Sequence, residues 1–126
     1  MRILGIDYGT KRIGLAVSDE SQTLARELAI LSPHDFWKKV NDLIGSESIE
    51  RIVIGLPLNM TGEQTEKTRE VESFSERLQQ EVSVPTEFMD ERLSSVMAEN
   101  LPGGSKNVDS LAAQIILQNY LDKIKR

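Results

Sequence analysis

The sequence contains no cysteine, which excludes a disulfide framework or a thiolate metal site and agrees with a reducing compartment. It also has no apolar run long enough to span a bilayer, and no secretory signal, since the run after Met1 and Arg2 stops at Asp7. No membrane partner is expected, and the expected location is cytoplasmic. Positive charge is short as well: 15 Lys and Arg face 20 Asp and Glu, for a net charge of −5 at pH 7. That balance argues against a generic nucleic-acid binder held by phosphate neutralisation. It leaves room for a metal-dependent nuclease, whose centre needs acids and whose rim alone needs cations. Lys11, Arg12, Arg69, Arg92 and Lys106, all near turns, could form such a rim, although scattered surface charge accounts for them too. No repeat, linker or low-complexity tract interrupts the 126 residues, so one domain over 1–126 with one fold is expected.

What is present is organised around RILGIDYGTKRIGLAVSD, from Arg2 to Asp19. Ile3 to Ile6 and Ile13 to Val17 are short branched apolar runs, and GTKR between them supplies turn chemistry, so the stretch predicts two strands joined by a tight turn. Asp7 ends the first strand. An unpaired carboxylate is costly to bury, so Asp7 either faces solvent or holds a cation. Gly5, Gly9 and Gly14 remove side chains around it, as suits a backbone that turns and lets a ligand approach.

Further along, Thr23 to Leu31 reads as a third strand, although its Ala and Leu also suit a helix. Ser32, Pro33 and Asp35 then read as a helix start, with Phe36, Val40 and Leu43 or Ile44 at helical spacing and Gly45 as the stop. His34 in that first turn reads as a solvated helix residue. Trp37, beside Phe36, reads as packing rather than as a platform for a base. Arg51 to Leu56 is a continuous buried strand halted by Pro57, and Glu63 to Val82 a long helix with one narrow apolar face, Val71, Phe74 and Leu78. Thr86 to Asp90 gives a further strand, Leu93 to Leu101 a short helix, and residues 102 to 107 (PGGSKN) a loop. Asn107 can cap a last helix with a broad apolar surface, including Val108, Leu111, Ala112, Ile116, Leu117, Tyr120 and Leu121. The order predicts a mixed α/β domain in which an antiparallel three-strand meander feeds parallel strands.

In such a sheet the functional crevice lies at the carboxyl ends of the parallel strands. Three acids fall near it: Asp7, Glu91 with Asp90 beside it, and Asp109 in the first turn of the last helix. They converge if the first and last strands are neighbours and the last helix crosses their ends. Clustered carboxylates repel one another unless a divalent cation neutralises them, and all-oxygen ligation suits Mg²⁺ or Mn²⁺, hence metal-assisted phosphoryl chemistry. Each acid also has a purely structural reading. The helix dipole alone favours Asp109, Asp90 and Glu91 suit an exposed strand end, and Asp7 suits the turn.

Four motifs, DYGTKRIGLAVSD at 7–19, IVIGLPLNMTG at 52–62, DERLSS at 90–95 and VDSLAAQIILQNYLD at 108–122, together resemble the YqgF family, also called RuvX, of bacterial RNase H-like proteins. The resemblance covers essentially the whole chain, with the motifs in order. It implies an RNase H-like fold with a mixed five-stranded sheet and flanking helices. It also implies a nuclease that trims the 5′ end of precursor 16S ribosomal RNA or, as discussed for some members, resolves Holliday junctions. By the same resemblance Asp7, Glu91 and Asp109 are the catalytic, metal-holding acids, with Mg²⁺ or Mn²⁺ as cofactor. Lys11, Arg12 and Arg92 are the expected substrate contacts, and precursor rRNA or branched DNA the expected partner. One position departs from the pattern of RuvC-type resolvases, which carry a further acid one turn along the last helix. Ala112 stands there, so a second metal would be held loosely or by substrate phosphate.

Two other classes remain open at this level. GIDYGT also resembles the first phosphate motif of actin-like ATPases and sugar kinases, but those clamp a nucleotide between two such domains and this chain has the length of one. A non-catalytic RNase H-like module that binds structured RNA or a ribosome or transcription partner would carry its acids only as vestiges; the intact triad argues against it. Junction resolution needs paired active sites and hence a dimer. No apolar helix face insists on one, so a monomer or weak homodimer is expected.

Overall fold

The computed structural model describes residues 1–57, 62–90 and 108–124, and for 108–110 the backbone alone. Its strands are β1 (Arg2–Asp7), β2 (Ile13–Ser18), β3 (Ala25–Leu31), β4 (Ile49–Leu56) and β5 (Thr86–Asp90). Among the described residues the helices are α1 (Pro33–Ser46), α2 (Glu66–Glu81) and α3 (Val108–Ile124). The strands form one five-stranded sheet in the order β3-β2-β1-β4-β5. β1, β2 and β3 pair antiparallel, while β4 runs parallel to β1 and β5 parallel to β4, which is the expected meander feeding parallel strands. The condition set for the three acids to converge is not met as stated: the first and last strands are not neighbours, because β4 stands between them.

Strand alternation sorts the side chains into two cores. Leu4, Ile6, Ile13, Leu15, Ile52 and Ile54 face one way and pack with Phe36 and Val40 of α1 and Val71, Phe74 and Leu78 of α2. Ile3, Ala16 and Val53 face the other way and pack with Ala113, Ile116, Leu117, Tyr120 and Leu121 of α3. β2 is buried on every residue, which explains why its sequence is a run and not an alternation. Buried Ser18 stays satisfied because its Oγ accepts from the Ile3 amide at 2.8 Å.

Several boundaries differ from the sequence reading for identifiable reasons. β3 begins at Ala25 rather than Thr23, since the amides of Thr23 and Leu24 are taken by Asp19 Oδ1 at 2.8 and 3.3 Å. These bonds, the Thr23 amide foremost, hold the Asp19 carboxyl below its usual range. α1 starts as expected, with Ser32 Oγ accepting from the Asp35 amide and Pro33 in the first turn. Gly45 does not end it: the helix runs through Ser46, and the left-handed residue beyond is Ser48, at φ 54°. α2 begins at Glu66 rather than Glu63, because Thr65 and Thr68 form a reciprocal capping box. The expected helix Leu93–Leu101, the loop 102–107 and the cap at Asn107 lie outside the described residues.

Polar clasps tie α3 to the sheet. Gln118 Oε1 accepts from the Ala25 amide at 2.9 Å, and Gln114 Nε2 donates to the Ala25 carbonyl at 3.2 Å. Near the far end of the helix Arg51 Nη1 donates to Tyr120 Oη at 2.6 Å, which in turn donates to Glu87 Oε2 at 2.7 Å. Burial, followed by the bond to Glu87, pushes the Tyr120 phenol above its ordinary value. The bond to Tyr120 likewise raises Arg51.

Candidate active site

Asp7 is half-buried at the carboxyl end of β1, and alternation after Ile3 and Gly5 puts it on the α3 side of the sheet. Its partner across the β1–β2 ladder is Gly14, which in turn pairs with Ile30 of β3. On the other side Gly55 stands one residue beyond the Ile6–Ile54 pair and faces Met89 of β5. Asp7 therefore lies in a row whose neighbouring positions on β2 and β4 are glycines, which add no side chain of their own beside the carboxylate. The turn that follows is closed tightly, since a Cβ on Gly9 would lie 2.6 Å from the Arg12 carbonyl oxygen. Gly9 is thus required by the turn itself.

The direction and register of α3 follow from two contacts. Tyr120 meets Arg51, which pairs with Ile3 at the start of β1. Two residues along β1, a Cβ on Gly5 would stand 2.8 Å from Leu117 Cβ and 3.2 Å from the Ala113 carbonyl oxygen. The helix therefore runs antiparallel to β1. From Gly5 to Asp7 the strand advances about 7 Å. From Ala113 back to position 109 the helix advances about 6 Å along the same row. The backbone at 109 consequently comes over the carboxyl end of β1. The role expected for Gly5, room for a ligand, is replaced by a structural one: the space is filled by α3.

Of the three acids expected to converge, only Asp7 has a described side chain. Glu91 and Arg92 lie outside the described residues, and Asp109 is described by its backbone. Among the described residues no group of three metal-ligating side chains comes together. Lys11 and Arg12 are exposed on the turn that follows Asp7, and Ala112 is half-buried on α3. Trp37 is packed, not presented, as expected: its ring lies 5.0 Å from Phe36 and 5.4 Å from Phe74, with the Arg77 guanidinium 4.0 Å over its face. No described helix is long and apolar enough to cross a membrane.

The family model described as "RuvX: Holliday junction resolvase" matches residues 1–123. The chain belongs to the RuvX family. A relative from Sulfurihydrogenibium sp. (strain YO3AOP1), named "Putative pre-16S rRNA nuclease", is 45% identical over 132 residues, spanning 98% of this chain and 91% of that protein. A relative of the same name from Maridesulfovibrio salexigens is 40% identical over 132 residues, spanning 96% and 98%. Among solved structures, T. thermophilus RuvC in complex with a Holliday junction substrate superposes with a TM-score of 0.63 at 13% identity, over 99% of this chain and 96% of that one. Fowlpox virus resolvase with its junction DNA superposes at 0.55 and 12% identity, over 100% of both chains. At those identities the likeness is one of fold, and it bears out the RNase H-like class read from the four motifs. The RuvX model and the named relatives both describe nucleases acting on nucleic acid, so the expected activity class, hydrolysis of phosphodiesters, is the one the family carries.

Gly5 and Gly55 also shape the surroundings of Asp7; the sequence reading gave Gly5 a different role and did not single out Gly55. Gly5 sets the height of α3, and Gly55 keeps the strand between β1 and β5 free of a side chain in the Asp7 row. A glycine interrupting a branched run, as in RIVIGL, was the available signal.

Proposed function

We propose that the chain, as one RNase H-like domain, is a divalent-metal-dependent nuclease that trims the 5′ end of precursor 16S rRNA in the cytoplasm. The observation that carries the reading is the shared register of β1 and α3, which brings the backbone at 109 over the strand end occupied by Asp7. Asp7, Glu91 and Asp109 would hold Mg²⁺ or Mn²⁺, and an all-carboxylate set with no nitrogen or sulfur donor fits those hard cations. A metal held there would supply an acidified water and charge stabilisation for the leaving oxygen. The protein's share is orientation: Lys11, Arg12 and Arg92 would hold flanking phosphates on the rim beside Asp7, whose strand neighbours at 14 and 55 are glycines. Support for ribosomal RNA as substrate comes from the names of relatives at 45% and 40% identity.

Purified protein with Mg²⁺ or Mn²⁺ should shorten a precursor 16S transcript, and Asp7→Asn should abolish this with the fold intact. Equal cleavage by both preparations would identify a contaminant and sink the reading. The family description supports a second substrate, a four-way DNA junction. Paired symmetric incisions in that DNA, with the RNA left intact, would replace ribosomal RNA by the junction and require a homodimer; otherwise a monomer suffices.

A further inference from the structure

We propose that Tyr8 is a positioning residue for Asp7, an inference that rests on the reading of Asp7 as a metal ligand. The β1–β2 ladder ends at the Asp7–Gly14 pair and the β1–β4 ladder at Ile6–Ile54. Beyond Asp7 the chain enters the Gly9 turn, so ladder bonds no longer fix the strand end. Tyr8 adds a restraint from the opposite face of the sheet. It continues the alternation of Leu4 and Ile6 and packs into the α1/α2 core, with its ring centroid 4.5 Å from that of Phe74. Phe74 is itself held by Phe36 and Trp37, each at 5.4 Å, so the Tyr8 ring rests on a cluster shared by both helices. Locking residue 8 to one face commits residue 7 to the other, since successive strand side chains point oppositely. Tyr8 thus sets the carboxylate's direction from behind, without touching metal or substrate.

A residue that merely fills the core would alter stability alone. A positioning residue alters ligand geometry, and losing such support typically costs about tenfold to a hundredfold in metal affinity or turnover. The test is Mn²⁺ titration by calorimetry on folded wild-type, Asp7→Asn, Tyr8→Phe and Tyr8→Ala proteins, with kcat and KM on the precursor transcript. The expected result is Mn²⁺ affinity and kcat both about tenfold or more lower in Tyr8→Ala, with KM nearly unchanged. Tyr8→Phe, which keeps the ring, should restore both. Should Tyr8→Ala fail to fold, Phe74→Leu removes the opposing ring while filling the core, and it should weaken Mn²⁺ binding in the same direction. Wild-type Mn²⁺ binding by Asp7→Asn would overturn the metal reading. Loss in Asp7→Asn with full binding by Tyr8→Ala, or by Phe74→Leu where it stands in, would overturn the role of Tyr8 alone. A Tyr8→Phe protein as impaired as Tyr8→Ala would overturn it too, by assigning the effect to the hydroxyl.

Discussion

Gly5 lies directly beneath Leu117, so close that a Cβ at position 5 would stand 2.8 Å from Leu117 Cβ. Neither side can yield cheaply. The atoms in conflict belong to a central strand and to the stem of a fully buried leucine, with the Ala113 carbonyl oxygen 3.2 Å away. The contact sets the height of α3 above β1 and, through the rigid helix, the height at which the backbone at 109 passes the strand end bearing Asp7.

Gly5→Ala should therefore damage stability and activity together. Overpacking of this kind costs about 1–3 kcal/mol, visible as a lower denaturant midpoint. Displacement of the α3 terminus should lower kcat roughly tenfold to a hundredfold, since small misplacements of reacting groups are expensive. A variant with native stability and turnover would mean that α3 is free to rise without consequence.

At the far end of the same helix, Tyr120→Phe removes the hydroxyl that links Arg51 to Glu87. The expected loss is about 1 kcal/mol, the usual net value of a hydrogen bond. The pH dependence has a definite sign. The folded phenol titrates above its ordinary value of 10.0, so its contribution is fully present below that pH and is lost as pH rises through the higher folded value. Wild-type stability should fall more steeply above about pH 10 than that of Tyr120→Phe. Parallel alkaline limbs in the two proteins would show that the phenol is not linked to folding.

Much of the frame was legible because it is written locally. Asp7 and Pro57 interrupt apolar runs where β1 and β4 end, and Ser32 with Pro33 opens α1, because each acts on its own backbone. What was illegible depends on partners distant in sequence. Gly5 looked like room for a ligand because only the packed structure brings Leu117 to it, and nothing near Gln114 or Gln118 announces that they clasp Ala25. Gly45 misled because a glycine that could end a helix need not: the next left-handed position fell on Ser48. At the site, Asp7 was legible as an acid closing an apolar strand. The placement of β4 between β1 and β5 was not, since strand order is decided by crossover connections and not by the strands.

Lys11 and Arg12 are exposed on the turn immediately after Asp7, where a nucleic acid approaching that carboxylate would pass. In a chain of net charge −5, binding should depend heavily on such local cations. Lys11→Ala with Arg12→Ala should weaken RNA binding and reduce the slope of log K against log salt by about 0.7–0.9 for each phosphate that is no longer neutralised. Unchanged affinity and slope would place the substrate elsewhere than over this hairpin.

The neighbouring acids Asp90 and Glu91 should behave differently, and β5 supplies the reason. Met89 packs into the core beneath α3, whereas Phe88, opposite Ile54, is directed to the α1/α2 side. The strand persists to Asp90, which pairs with Leu56, so alternation assigns Asp90 to the side of Phe88. That is the face turned away from Asp7. An acid at 90 cannot share a cation with Asp7 unless the strand is broken, whereas a strand continued by one residue would put position 91 on the side of Asp7. Glu91→Gln should thus abolish Mn²⁺-dependent cleavage and weaken Mn²⁺ binding. Asp90→Asn should bind Mn²⁺ nearly as wild type, with any defect appearing in stability or as a smaller loss of rate. Calorimetric titration of both variants with Mn²⁺ decides between them. Binding lost in Asp90→Asn but kept in Glu91→Gln would reverse the assignment and require β5 to end one residue earlier, at Met89.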